Sequence, residues 1–204
     1  MLKNVKVSEL SPPGGWCTAN TIRIQPVSRK KAGVTSKIIL AGIEKYGKLD
    51  AANLWLLMNH NTRLKRGLIY YVSKLMPFGK IKRIDTELVI LRVAWNCRAR
   101  YEWGQHVDLG LKAGLTTQDI YSIASDSYDD NWSPRQVAIL KACDEFHKVK
   151  LITDETWNQL TSFYNQKLLL ELLFLIGFYE GLAGVLNSVG LPLDDTMANK
   201  LSTL

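Results

Sequence analysis

Asp85-Thr86-Glu87-Leu88-Val89-Ile90-Leu91-Arg92-Val93-Ala94-Trp95 is the stretch that decides the fold. It is apolar nearly all round, so the reading is a central helix buried on every side. The next segment, Tyr101 to Lys112, contains Glu102-Trp103-Gly104-Gln105-His106. Glu102 and His106 are four apart and share one helical face, where a carboxylate and an imidazole form a proton-handling pair. Glu87, fifteen residues before Glu102, reaches the same place from the preceding helix.

Outward from this pair of segments, the pattern remains helical. Ile38 to Tyr46 is a short helix. Asn53 to Met76 follows, with Asn59-His60-Asn61 as a point where it divides and Pro77 and Gly79 as its end. Gly114 stops the helix that holds His106, and Thr116 with Asp119 three later is a capping box for the next. Asp126 to Trp132 is a polar loop. Ser133-Pro134-Arg135-Gln136 starts a helix that runs to about Lys148. Thr153-Asp154-Glu155 starts another, ending near Tyr164, and Gln166 to Val189 is the last, stopped by Gly190 and Pro192. No segment alternates in the manner of a strand. The expected product is an all-α helical bundle centred on the helices at 85–95 and 168–189. Gly177, Gly181 and Gly184 line one face of the last helix, which calls for close approach of another helix. Residues 1–35, punctuated by Ser11-Pro12-Pro13-Gly14-Gly15 and Pro26, form an irregular N-terminal arm. Residues 36–204 form a single all-helical domain.

Composition places the chain among globular proteins, with 47% hydrophobic and 22% charged residues. Residues 1–10 lack the apolar core of a signal peptide, and Glu171, Glu180 and Asn187 interrupt the most apolar stretch, which reads as a buried helix and not a membrane span. Cys17, Cys97 and Cys143 are isolated thiols, which suits a reducing, cytoplasmic setting and gives no disulfide framework. His60, His106 and His147 are too far apart in sequence for a metal-ligand pair, so no metal site is expected. Residues 1–102 carry a net +13 and residues 103–204 a net −6, within an overall +7. No nucleic-acid motif accompanies the basic half, so nucleic-acid binding is not expected, and the asymmetry reads as complementary surfaces within the bundle or between subunits.

The run from Asp85 to Trp95, the Tyr101-Glu102-Trp103-Gly104-Gln105-His106 segment and Ala113-Gly114-Leu115-Thr116 together resemble the carboxymuconolactone decarboxylase and alkyl hydroperoxidase D superfamily. The resemblance covers about residues 50–125, and continues more loosely through Gly177-Phe178-Tyr179 and Asn187 to Pro192. It implies an alkyl hydroperoxidase D-like helical fold, a homo-oligomer and a pocket holding Glu87, Glu102 and His106 as catalytic residues. The hydroperoxidase branch places a Cys-x-x-Cys pair between the glutamate and the histidine. Here those positions are Ala99 and Glu102. A dithiol peroxidase needs an attacking thiolate and a resolving thiol, and neither residue supplies one.

The decarboxylase branch resembles this chain in having a glutamate four residues before the histidine and no cysteines there. It implies acid–base chemistry, without a cofactor, on a small carboxylate or lactone: a decarboxylase or isomerase type of reaction, and so a lyase-like enzyme. Glu102 and His106 share the proton work. Glu87, if buried away from cations, has a raised pKa suited to an acid or relay. Arg92, Arg98 and Arg100 are candidates for gripping a substrate carboxylate, with Trp103 and Tyr179 as pocket wall. One alternative is a thiol-dependent, peroxiredoxin-type antioxidant using Cys97. If a helix begins at Asn96 or later, Cys97 sits at its N-terminus beside Arg98 and Arg100, and its pKa falls. Another alternative is a non-catalytic oligomeric binding protein. The partners expected are a small-molecule substrate and further copies of the chain, with no membrane.

Overall fold

The computed structural model describes residues 6–47, 52–125, 128 and 132–204. Ten α-helices run through these residues: α1 (Val34–Gly47), α2 (Ala52–Leu57), α3 (Thr62–Leu75), α4 (Arg83–Asn96), α5 (Arg100–Ala113), α6 (Thr117–Ile123), α7 (Pro134–Val149), α8 (Asp154–Thr161), α9 (Gln166–Val189) and α10 (Asp195–Ser202). No strand occurs among the described residues. The expected loop at 126–132 and the first five residues of the arm lie outside the described residues, except Tyr128 and Trp132.

The local signals act where the sequence places them. Thr116 and Ser133 each close a capping box, with Asp119 and Gln136 as the third helical residues. Asn61 caps α3 by accepting from the Leu64 amide at 3.0 Å, which divides the 53–76 segment after a single 3-10 turn at Met58–His60. Gly114 and Gly190 end α5 and α9 in the left-handed conformation.

Helix α4 is the hub. Every residue from Asp85 to Trp95 is buried, and α5, α7 and α9 pack around it. Its crossing with α5 is tight at Gly110, where an added Cβ would lie 2.9 Å from Leu115 and 3.1 Å from Leu91. That approach brings the start of α4 against the middle of α5. A second, smaller apolar cluster joins α1, α2 and the middle of α3 through Leu40, Trp55, Leu56 and Leu68. It is separate from the main core.

Two expectations change: Gln166–Val189 is not the last helix, since Asp194 opens α10 at Asp195–Ser202, and α9 is less central than its composition suggests. The arm, irregular as read, packs on the core. Val7 and Leu10 are buried in the main core, Trp16 packs on Trp95 and Trp103, and backbone bonds tie Cys17 to Arg98, Ala19 to Asn187 and Arg23 to Val189. On α9, Leu172, Ile176 and Ala183 are buried, but Leu170, Phe174 and Val185 are each more than half exposed. Of its three glycines, Gly177 approaches Phe146, whereas Gly181 and Gly184 face open space. By length and composition α9 also suffices to cross a membrane, a property shared by core helices of soluble folds.

Candidate functional site

The α4–α5 crossing seats His106 against Glu87. Nδ1 of His106 lies 2.7 Å from Oε2 of Glu87, and both side chains are buried. Arg83, one turn earlier on α4, comes within 2.6 Å of the other Glu87 oxygen. Glu87 is therefore buried between the Arg83 guanidinium and the His106 imidazole, not away from cations as the sequence reading supposed. A carboxylate held in this way accepts the Nδ1 proton, which fixes the imidazole tautomer and leaves Nε2 with its lone pair.

His106 lines a hollow between α2, α3, α5 and α9. Its walls are mostly apolar, with Leu54, Trp55, Val72, Met76, Phe178 and Leu182 among them, and Tyr101, Glu102, Gln105, His106 and Tyr179 supply the polar groups. The hollow has about 40 Å³ of space, room for a water molecule or two. Tyr179 meets the His106 ring edge to face at 5.3 Å.

Glu102 is the anomaly. It is 2% exposed, and both carboxyl oxygens lack a hydrogen-bond partner. The expected i, i+4 bond to His106 is absent, because the imidazole turns to Glu87 instead. Burial drives the Glu102 pKa well above its ordinary value, which favours the neutral, proton-bearing carboxyl. Unpartnered buried carboxyls are rare in proteins, and this one lies on the wall of the hollow.

The three arginines do not reach this hollow. Arg92 is clamped on the opposite side of α4. Its Nε and Nη2 donate to Asp144 at 2.7 and 2.8 Å, and its Nη1 donates to the carbonyls of Ile123 and Ser125. For Asp144, burial alone would raise the pKa; the bonds and charge of Arg92 outweigh it and hold the carboxyl below its usual range. Arg98 adopts a left-handed φ of 53° and directs its guanidinium at Gly14 of the arm. Arg100 is exposed. Trp103 stacks with Trp95 and Trp16 and is core instead of pocket wall.

Cys97 also departs from expectation. It is the C-cap of α4 and lies before α5 begins, so the negative end of a helix dipole faces it. Burial, then the charges of Glu180 and Glu102, push its pKa up to about 12. That is the reverse of an activated thiol. The fold does what sequence spacing hid: it brings Cys97, His147 and Glu180 into one cluster capable of holding a metal ion. Sequence reading also missed Asp194, buried in the C-terminal segment. It accepts from the Tyr101 hydroxyl, the Gln105 amide and the Asn53 backbone at 2.9–3.0 Å, tying α2 to α5. No short-range pattern connects those positions.

Residues 62–145 match the sequence model of the carboxymuconolactone decarboxylase family. No curated protein matches the chain by sequence. Among solved structures, the debrominase Bmp8 in complex with 2,3,4-tribromopyrrole is similar with a TM-score of 0.73 and 14% identity, over 91% of this chain and 98% of that one. An alkylhydroperoxidase AhpD core, a peroxidase-related protein from Ralstonia eutropha, gives 0.74 and 15% identity, over 88% and 96%. A peroxidase-related protein from Silicibacter gives 0.73 and 13%, over 90% and 98%. At these identities the likeness establishes the fold.

Proposed function

We propose that this chain, a member of the carboxymuconolactone decarboxylase and alkyl hydroperoxidase D-like superfamily, carries out acid–base chemistry on a small, largely apolar substrate with its own side chains. The observation that carries the reading is the buried, unpartnered Glu102 carboxyl on the same wall as an imidazole oriented by Glu87. Nε2 of His106 takes a proton from carbon next to a carbonyl. The Glu102 carboxyl donates to the oxygen or carbon that gains charge. A carboxyl that burial biases toward its neutral form, facing a basic imidazole, suits an isomerisation or a lactone-type decarboxylation.

Substrate class follows from the walls. With Arg92, Arg98 and Arg100 elsewhere, the apolar lining supports an uncharged ring, such as a lactone or cyclic ketone, better than a free carboxylate. The debrominase relative, seen with a flat halogenated pyrrole, supports a ligand of that size for this fold. Because the hollow is narrow, entry requires the α2–α3 wall to shift. Part of that wall belongs to the small apolar cluster, so it can move without opening the main core. A thiol peroxidase reading has little support, since Ala99 and Glu102 replace the cysteine pair and Cys97 is held as a thiol.

The exposed stripe of Leu170, Phe174 and Val185, beside the open faces of Gly181 and Gly184, supports a homo-oligomer in which a second copy packs on α9. The three free cysteines suit a reducing, cytoplasmic compartment.

The test is deuterium incorporation at carbon. Small lactones and cyclic ketones are incubated with the protein in D2O and followed by NMR, with acids of the same skeleton as a second arm. Faster exchange with the uncharged panel, lost in His106→Gln, is the expected result. Exchange no faster than in buffer across both arms, or unchanged in His106→Gln, overturns the reading.

A further inference from the structure

Three helices bring unlike side chains to one point, using none of the groups invoked above. Cys97 caps the end of α4, His147 lies in the last turn of α7, and Glu180 projects from the middle of α9. Sγ of Cys97 is 3.7 Å from Nδ1 of His147 and 3.8 Å from Oε1 of Glu180, and those two atoms are 2.7 Å apart. We propose that Cys97, His147 and Glu180 form a binding site for a thiophilic divalent metal ion of the zinc class, with one coordination position left for water.

Geometry separates this reading from a catalytic thiol relay. In a relay, the cysteine and the carboxylate contact opposite nitrogens of the imidazole, so that a proton passes across the ring. Here both contact the same nitrogen, Nδ1. Three donor atoms of different kinds converge on one point, which is what a shared ion requires. Around a tetrahedral zinc, with bonds of about 2.0–2.3 Å, such donors lie about 3.3–3.6 Å apart. The two edges to sulfur match within about 0.3 Å. The nitrogen–oxygen edge is a hydrogen bond and must open by about 0.6 Å, a small rotation for a His147 side chain that is 36% exposed.

The surroundings favour a cation. Cys97 and His147 lie at the carboxyl-terminal ends of α4 and α7, the negative ends of the helix dipoles. Lys150 grips the second oxygen of Glu180 and donates to the His147 carbonyl, which orients the carboxylate with Oε1 toward His147 and Cys97. The donor set of one sulfur, one imidazole and one carboxylate selects zinc or cobalt over magnesium or calcium, which take oxygen. Exposure of His147 opens the fourth position to water. This inference is independent of the acid–base reading, since it uses none of Glu87, Glu102 or His106.

The experiment uses the full chain, stripped with a chelator and titrated with Zn²⁺ by calorimetry and with Co²⁺ by absorption. The expected result is one equivalent of each, a thiolate-to-cobalt charge-transfer band, and retention of both in Cys17→Ser. Cys97→Ser should abolish the band, and His147→Gln should weaken Zn²⁺ binding at least about tenfold. Circular dichroism confirms that both variants keep their helices. Absence of binding, a band that persists in Cys97→Ser, or Zn²⁺ affinity unchanged in a folded His147→Gln overturns the proposal.

Discussion

Glu87 holds the Nδ1 atom of His106 at 2.7 Å across the α4–α5 crossing, although nineteen positions separate them in the chain. The bond decides which nitrogen of the ring is basic. It therefore links a packing feature, the close approach at Gly110, to the chemistry of the hollow.

Removing that link should lower turnover more than substrate binding. In Glu87→Gln the side chain still fills its place, but an amide that donates to Nδ1 reverses the tautomer. A fall in kcat of about 10²–10⁴ is expected for His106→Gln, with Glu87→Gln nearer the lower figure. Steady-state kinetics on any substrate found by deuterium exchange provides the comparison, and an effect confined to KM would contradict the assigned role.

Glu102 should leave a signature in stability. Its pKa is raised in the folded state, so the folded protein keeps a proton that the unfolded chain releases above about pH 4.5. Stability from this group is complete below that pH and declines as pH rises towards the folded value, by at most about 1.4 kcal/mol per pH unit. Glu102→Gln removes the titration. Its melting temperature should exceed that of the parent near neutrality, with the gap closing as pH falls to about 4.5. A gap that widens on acidification would show the opposite sign.

The Arg92–Asp144 clamp is structural. Breaking one partner leaves a buried, uncompensated charge, so Arg92→Met or Asp144→Asn should each cost about 3–5 kcal/mol in urea unfolding. The double variant Arg92→Met with Asp144→Leu should recover part of that loss. Equal and additive losses would mean that the two groups do not act together.

Assembly through α9 predicts that Leu170→Glu combined with Phe174→Glu lowers the mass in sedimentation to that of one chain while the helical signal persists. If the unmodified protein itself sediments as a single chain, that face is not an interface between copies.

Much of the architecture is legible in local chemistry. The capping boxes at Thr116 and Ser133, the Asn61 cap and the glycines at 114 and 190 set helix ends through bonds that span three or four residues. The all-round apolar character of 85–95 identified the buried hub because a helix without a polar face has no side to turn to water. Glu87, Glu102 and His106 were singled out from spacing and resemblance, but the pair read from spacing was Glu102 with His106, whereas the structure pairs His106 with Glu87.

What the sequence by itself determined, then, was the helical class and most helix ends, though not α10, since these depend on spacing within a few turns of one chain segment. Only the tertiary structure decided the partners. It turned His106 to Glu87 and left Glu102 bare, sent Arg92 to Asp144, placed Cys97 at the wrong end of a helix for an activated thiol, and gathered Cys97 with His147 and Glu180 across 50 and 83 positions. The physical reason is that partner choice follows from which helices cross and how closely. That is set by long-range packing, which no local spacing encodes.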